Sequence, residues 1–121
     1  MKRILIVDDD PDIRESLPGG LSATGAEIAT ARDGEEGLAR VASAPPDIVL
    51  TDVRMPGIDG LELLRLLRER APSVDIILMT AYDDMPTVVA GMLHGSRDFL
   101  VKPLELHELR RVVTEVFEDR R

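Results

Sequence analysis

Three carboxylates and one lysine stand at the ends of short apolar runs. Asp8 and Asp9 directly follow Ile4-Leu5-Ile6-Val7, and Asp52 follows Asp47-Ile48-Val49-Leu50-Thr51. A third run, Asp98-Phe99-Leu100-Val101, leads instead into Lys102-Pro103. Carboxylates brought together repel one another, and a small cation relieves that repulsion. An oxygen-only donor set suits a small hard cation. A lysine beside such a cluster adds a compact positive charge for an anion. The combination suggests a cation site able to receive a phosphoryl group, provided that the fold gathers these segments.

The elements that would gather them alternate along the chain. Strand-length runs cover 4–7, 27–31, 47–51, 74–80 and 98–101, and helix-length amphipathic segments cover 11–24, 34–43, 60–70, 84–94 and 104–118. Most of the strand runs are continuously apolar rather than alternating, the pattern of strands covered on both faces. In the third helix Leu61, Leu63, Leu64 and Leu67 share one side, and in the fifth Leu106, Leu109, Val112, Val113 and Val116 recur at helical spacing. Five strand–helix repeats predict an α/β fold, a parallel sheet with helices on both faces. In such a sheet ligands bind beyond the carboxyl ends of the strands, where the acidic groups and the lysine fall. Asp10-Pro11 reads as a helix cap followed by a first-turn proline. Asp84 is expected to cap the fourth helix.

Composition narrows the function. A chain of 121 residues fits one domain, taken as 1–121, and 44% apolar residues can form a core. With two Phe, one Tyr and no Trp, that core is aliphatic. A formal charge of −8 argues against direct nucleic-acid binding, which needs concentrated positive charge. Without cysteine there is no disulfide, thiol catalysis or thiolate metal site. No apolar run reaches membrane-spanning length, and the start at Met1 lacks a signal-peptide pattern, so a soluble cytoplasmic protein is expected. His94 and His107 read as helix-end and surface residues, and Met55, Met79, Met85 and Met92 as packing residues.

The motifs together resemble the receiver domain of two-component response regulators. Ile-Leu-Ile-Val-Asp8-Asp9-Asp10, Asp52-Val-Arg-Met-Pro-Gly-Ile-Asp-Gly, Met-Thr80-Ala and Phe99-Leu-Val-Lys102-Pro103 occur in the family's order and spacing. The resemblance implies a three-layer, doubly wound, flavodoxin-like sheet of strand order 2-1-3-4-5. It makes Asp52 the acceptor of a phosphoryl group from the phosphohistidine of a sensor histidine kinase or phosphotransfer protein. It assigns Mg2+ to Asp9, Asp52 and the backbone carbonyl of Arg54, with Asp8 joining directly or through water. Lys102 then pairs with the phosphoryl group, and Pro103 follows a cis peptide. Thr80 and Phe99 are the implied switch residues, acting on the surface around the fourth and fifth helices and fifth strand. Arg54 and Tyr82, two residues beyond the acceptor and the switch threonine, are expected to obstruct hydrolytic water. The chain would then be no conventional enzyme but a switch that catalyses its own phosphorylation and dephosphorylation. An output domain, an effector protein or a phosphorylation-dependent homodimer remain open as readers of the switch.

Other readings fit less well. A haloacid-dehalogenase-type hydrolase needs a second acid two residues after the nucleophile, where this chain has Arg54. A flavin-mononucleotide binder needs a phosphate-cradling first loop, and Asp8-Asp9-Asp10 would repel phosphate. The remaining alternative is a phosphorylation-independent interaction scaffold of receiver type. One departure stands out: Pro18-Gly19-Gly20 lie within the first predicted helix, where proline costs about 3 kcal/mol and each glycine about 1. Ile13, Leu17 and Leu21 keep helical phase across them, which predicts a kink or a stop near Leu17 and a restart.

Overall fold

The computed structural model describes residues 1–120, and of Tyr82 the backbone alone. Five strands, β1 (Arg3–Val7), β2 (Glu27–Ala31), β3 (Ile48–Asp52), β4 (Asp75–Ala81) and β5 (Asp98–Lys102), alternate with five helices. The helices are α1 (Pro11–Leu21), α2 (Gly34–Ser43), α3 (Gly60–Arg70), α4 (Met85–Leu93) and α5 (Leu106–Asp119). All pairings are parallel and the order is β2-β1-β3-β4-β5, the flavodoxin-like arrangement expected from the motifs.

Side chains alternate across each strand, so each strand feeds two cores. Ile4, Ile6, Ile48, Leu50, Ile77 and Met79 join Leu17 and Leu21 of α1 and Leu109, Val112, Val113 and Val116 of α5. Leu5, Val7, Val49, Ile76 and Leu78 face the other way, onto Val41 of α2 and Leu63, Leu64 and Leu67 of α3. Each fully buried aliphatic side chain contributes roughly 1.5–3 kcal/mol. β2 lies outside the doubly covered majority: it is an edge strand, as the expected order makes it, and Glu27 and Ala29 are exposed.

The first helix neither stops at Leu17 nor restarts. It runs unbroken from Pro11 to Leu21 with Pro18 inside it, then tightens into a 3-10 turn at Ser22–Thr24. Pro18 removes one helical donor, but buried Leu17 and Leu21 hold the segment to the α5 side of the core. Gly20 fits a close approach: a Cβ there would lie 2.6 Å from Leu106 Cδ1. Its carbonyl accepts from Arg110 Nε at 3.0 Å. Tertiary contacts thus offset the poor local propensity.

The fifth helix begins two residues later than predicted. Glu105 caps it, its carboxylate accepting from the backbone N–H groups of His107 and Glu108, and Leu106 is 41% exposed rather than core. Met55 and Met79 pack inside as expected, whereas Met85 and Met92 are exposed on α4. His94 ends α4, and His107 is exposed.

Helix α3 presses on the strand that carries the acceptor candidate. Asp59 caps it by accepting from the Glu62 N–H at 2.9 Å, and Gly60 N–H donates to the Val53 carbonyl at 2.8 Å. A Cβ on Gly60 would meet the Asp52 carbonyl oxygen at 2.3 Å and Val53 Cα at 2.7 Å. Backbone cannot yield as a side-chain tip does. Gly60→Ala is therefore expected to cost about 3 kcal/mol, read as an earlier urea midpoint at unchanged slope; a midpoint equal to wild type would contradict this contact.

Candidate functional site

The register of the parallel sheet brings the candidate residues to one edge. Val7 pairs with Thr51, Asp52 with Met79, Thr80 with Val101 and Ala81 with Lys102. Asp8 therefore leaves β1, Asp52 ends β3, Thr80 lies at the end of β4 and Lys102 closes β5, all at the same end of the sheet. Carboxylate oxygens of Asp8, Asp9 and Asp52 lie within 4.8 Å of one another.

Their environments differ. Asp8 is fully buried, accepting from the Asp10 N–H at 3.0 Å and from Lys102 Nζ at 2.8 Å. Arg14 Nη1 donates to the Asp8 carbonyl at 2.9 Å and anchors this turn to α1. Asp9 is exposed, and Asp52 is 9% exposed. Lys102 Nζ lies 3.4 Å from Asp52 Oδ2, so one ammonium serves two carboxylates.

Three negative groups against one lysine leave a deficit of positive charge. Burial, reinforced by repulsion from Asp8, pushes the Asp52 carboxyl up to about 6 against the opposing pull of Lys102. Burial works to lower the Lys102 ammonium, but Asp8 and Asp52 outweigh it and hold it above the ordinary lysine value. An oxygen-only donor set with uncompensated charge fits a hard divalent cation.

A cation held by Asp52 would compete with its proton, with a definite sign. Below about pH 6 the carboxyl is protonated and cation binding must displace that proton. Apparent Mg2+ affinity, titrated calorimetrically, is expected to fall about fivefold between pH 6 and pH 5. Equal affinities at the two values would remove Asp52 from the cation site.

The other candidate residues are placed as follows. Thr80 is buried, its hydroxyl donating to the Ala81 carbonyl at 3.3 Å. Phe99 is half-buried against the α2–α3 side of the core. The Lys102–Pro103 peptide is cis, as expected. The Arg54 guanidinium is held by Asp84, with Nε–Oδ2 at 2.8 Å and Nη2–Oδ1 at 2.9 Å. Asp84 occupies the N-cap position of α4 but makes no side-chain bond to its backbone, contrary to expectation, because both its oxygens are taken by Arg54 and Oδ1 also by the Thr87 hydroxyl. The side chain of Tyr82 lies outside the described residues. No helix among the described residues is long and apolar enough to cross a membrane.

Comparison with known proteins agrees with this fold. The family model described as response regulator receiver domain matches residues 4–114. The chain belongs to that family. Response regulator receiver domains are signalling modules of two-component systems, and several relatives are close. The response regulator MprA of Mycolicibacterium vanbaalenii is 47% identical over 107 residues, 88% of this chain and 46% of the relative. The DNA-binding transcriptional regulator NtrC of Salmonella typhimurium is 41% identical over 105 residues, 87% of this chain and 22% of the relative. The chain thus spans less than half the length of these relatives. The crystal structure of the receiver domain of NtrX from Brucella abortus superposes with a TM-score of 0.90 at 32% identity, covering 95% of this chain and 98% of that one. A receiver domain protein from Clostridium thermocellum gives 0.93 at 26% identity, covering 99% and 97%.

Proposed function

We propose that this receiver accepts a phosphoryl group on Asp52 from the phosphohistidine of a sensor histidine kinase or phosphotransfer protein. The observation that carries the reading is the buried Asp52 carboxylate at a strand end, 3.4 Å from the Lys102 ammonium and grouped with Asp8 and Asp9. In the transfer, an Asp52 oxygen attacks phosphorus. The phosphorus–nitrogen bond to the donor breaks, and its electron pair leaves with the imidazole.

Asp8, Asp9 and Asp52, with the backbone carbonyl of Arg54, would hold Mg2+. The bound ion supplies charge neutralisation between the acceptor and the incoming phosphoryl oxygens. Lys102 turns its ammonium from the carboxylates to the phosphoryl group as a point charge. The Thr80 hydroxyl, now spent on a weak 3.3 Å contact, is available to donate to a phosphoryl oxygen. Movement of Thr80 would open space for the half-buried Phe99 ring, which makes the pair a two-state element biased by a local charge.

The surface so switched is that of α4, β5 and α5. Its apolar face supports the reading: Val89 is 56% exposed, Met92 44% and Leu93 82%. An output domain, an effector protein or a second phosphorylated copy would read it. The domain assignment is the whole chain, 1–121, working in the cytoplasm. NtrC is a DNA-binding regulator by its name; the charge of −8 here argues against direct nucleic-acid contact by this domain.

Intact mass after incubation with acetyl phosphate tests the proposal. Gain of one phosphoryl group in Mg2+, and none with a chelator, is expected. No gain in Mg2+ by a folded protein would overturn it in favour of a phosphorylation-independent scaffold.

A further inference from the structure

Asp9 is the least supported member of the acidic cluster. Asp8 is buried and bonded at both carboxylate oxygens, and Asp52 ends a sheet strand beside Lys102. Asp9 is exposed, and among the described residues nothing hydrogen-bonds to its carboxylate or pairs with it. Yet its carboxylate lies within 4.8 Å of the other two. Its place is therefore set by the backbone that carries it.

That backbone is pinned on both sides of Asp9. The Asp8 N–H donates to the Ala31 carbonyl at 3.1 Å, and the Asp10 N–H to Asp8 Oδ1 at 3.0 Å. Between them, the carbonyl of the Asp8–Asp9 peptide accepts from Arg14 Nη1 at 2.9 Å. Helical side chains lean towards the amino end of their helix, which lets Arg14 of α1 reach back over the turn. Two features tie the residue to this contact rather than to the helix. A cation four residues into a helix gains nothing from the helix dipole. Among the described residues, moreover, the Arg14 guanidinium forms no ion pair and the Asp8 carbonyl is its one acceptor.

We propose that Arg14 is a positioning residue for the cation: by holding the Asp8 carbonyl it fixes the peptide plane between Asp8 and Asp9, and so presets the Asp9 carboxylate for Mg2+. The proposal rests on the Mg2+ reading argued above. Rotation of that plane would swing the Asp9 side chain away from Asp8 and Asp52. A plane already fixed leaves less freedom to be lost when the cation binds. Coulomb's law alone gives the opposite expectation. Arg14 lines the same groove as Asp9, and a nearby positive charge repels Mg2+. The sign of the change on removing Arg14 therefore separates a positioning role from a bystander charge.

The test compares wild type, Arg14→Met and Arg14→Lys. Methionine keeps a long unbranched side chain of good helix propensity but removes the donor and the charge. Lysine keeps the charge and one donating group. Mg2+ titrated calorimetrically at neutral pH should bind Arg14→Met about fivefold more weakly than wild type, the scale of one hydrogen bond from a charged donor. Arg14→Lys should fall between the two. The Asp9 N–H belongs to the same peptide plane as the Asp8 carbonyl, so its NMR order parameter without Mg2+ reads the plane directly. It should be about 0.85 in wild type, the value of rigid backbone, and clearly lower in Arg14→Met, with the Leu17 and Leu21 amides of α1 unchanged. Equal or tighter Mg2+ binding by Arg14→Met overturns this inference alone. So does a lysine variant weaker than the methionine one, or an Asp9 order parameter indifferent to Arg14. Wild type that binds no Mg2+ overturns the cation reading and this one with it.

Discussion

Asp52→Asn is expected to abolish phosphoryl uptake and at the same time to make the Mg2+-free protein more stable. Asparagine keeps the shape of the side chain but removes the nucleophilic oxygen and its charge. The loss of uptake is complete because no second carboxylate shares its position at the end of β3 with Lys102 beside it at 3.4 Å. The gain in stability follows from linkage. The folded-state carboxyl is raised to about 6 from an ordinary value of 3.8, so between these values the folded protein binds more protons than the unfolded chain. Stability contributed by this group is present below pH 3.8 and is lost as pH rises through 6. At neutral pH wild type carries the full cost of the ionised form, and asparagine does not. After discounting for partial solvent access, the advantage is about 1–2 kcal/mol. The difference in melting temperature should therefore be clear at pH 7.5 and vanish near pH 4. Mg2+ should reverse the order by stabilising wild type alone. A variant less stable than wild type at neutral pH without Mg2+ would show that Asp52 is not under electrostatic strain.

Lys102→Ala should have the second large effect, on stability and chemistry together. Asp8 is fully buried and, among the described residues, takes its only side-chain cation from Lys102 at 2.8 Å. Removing one partner of a buried pair leaves an uncompensated charge, at a cost of about 3 kcal/mol. Urea denaturation with a chelator present should show this loss, and Mg2+ should recover much of it by taking over the positive charge. Phosphoryl uptake from acetyl phosphate should slow about a hundredfold even in saturating Mg2+, since charge developing on the phosphoryl oxygens loses a preorganised donor. Unchanged stability with the chelator would mean that Asp8 is satisfied by other groups. Unchanged uptake would remove Lys102 from the chemistry.

The two variants separate what a shared cluster confuses. Asp52 is a group that the fold tolerates at a cost, and Lys102 is the group that makes the cost bearable. Sites of this kind concentrate perturbed carboxyls because the chemistry needs the charges close together before the substrate arrives. Close by, bare backbone at Gly60 lets α3 start directly against β3.

Most of the architecture was legible in the chain because its signals are local. The helix boundaries at 34–43 and 60–70 agree with α2 and α3, since helical periodicity and the carboxylate caps Asp33 and Asp59 act within a few residues. Five apolar runs alternating with helices imply a parallel sheet, and a parallel sheet puts Asp8, Asp52, Thr80 and Lys102 at one edge. The fifth helix was placed two residues early because nothing in the string Pro103-Leu104-Glu105 says that Glu105 turns its carboxylate back onto the His107 and Glu108 amides. Local propensity allows a kink or a stop in the first helix, and it is blind to the contacts of Gly20 with Leu106 and Arg110, some ninety positions away, that accompany the unbroken helix.

The sequence by itself determined which residues could do chemistry, in what order, and on which edge of what kind of sheet. Those properties depend on side-chain type and on periods of two and 3.6, both written in the chain. Only the tertiary structure decided how the charges divide: Lys102 shared between Asp8 and Asp52, Asp9 left to solvent, and Arg54 bound to Asp84. Pairing between charges is set by distance and burial across loops that are remote in sequence, and no local pattern encodes either.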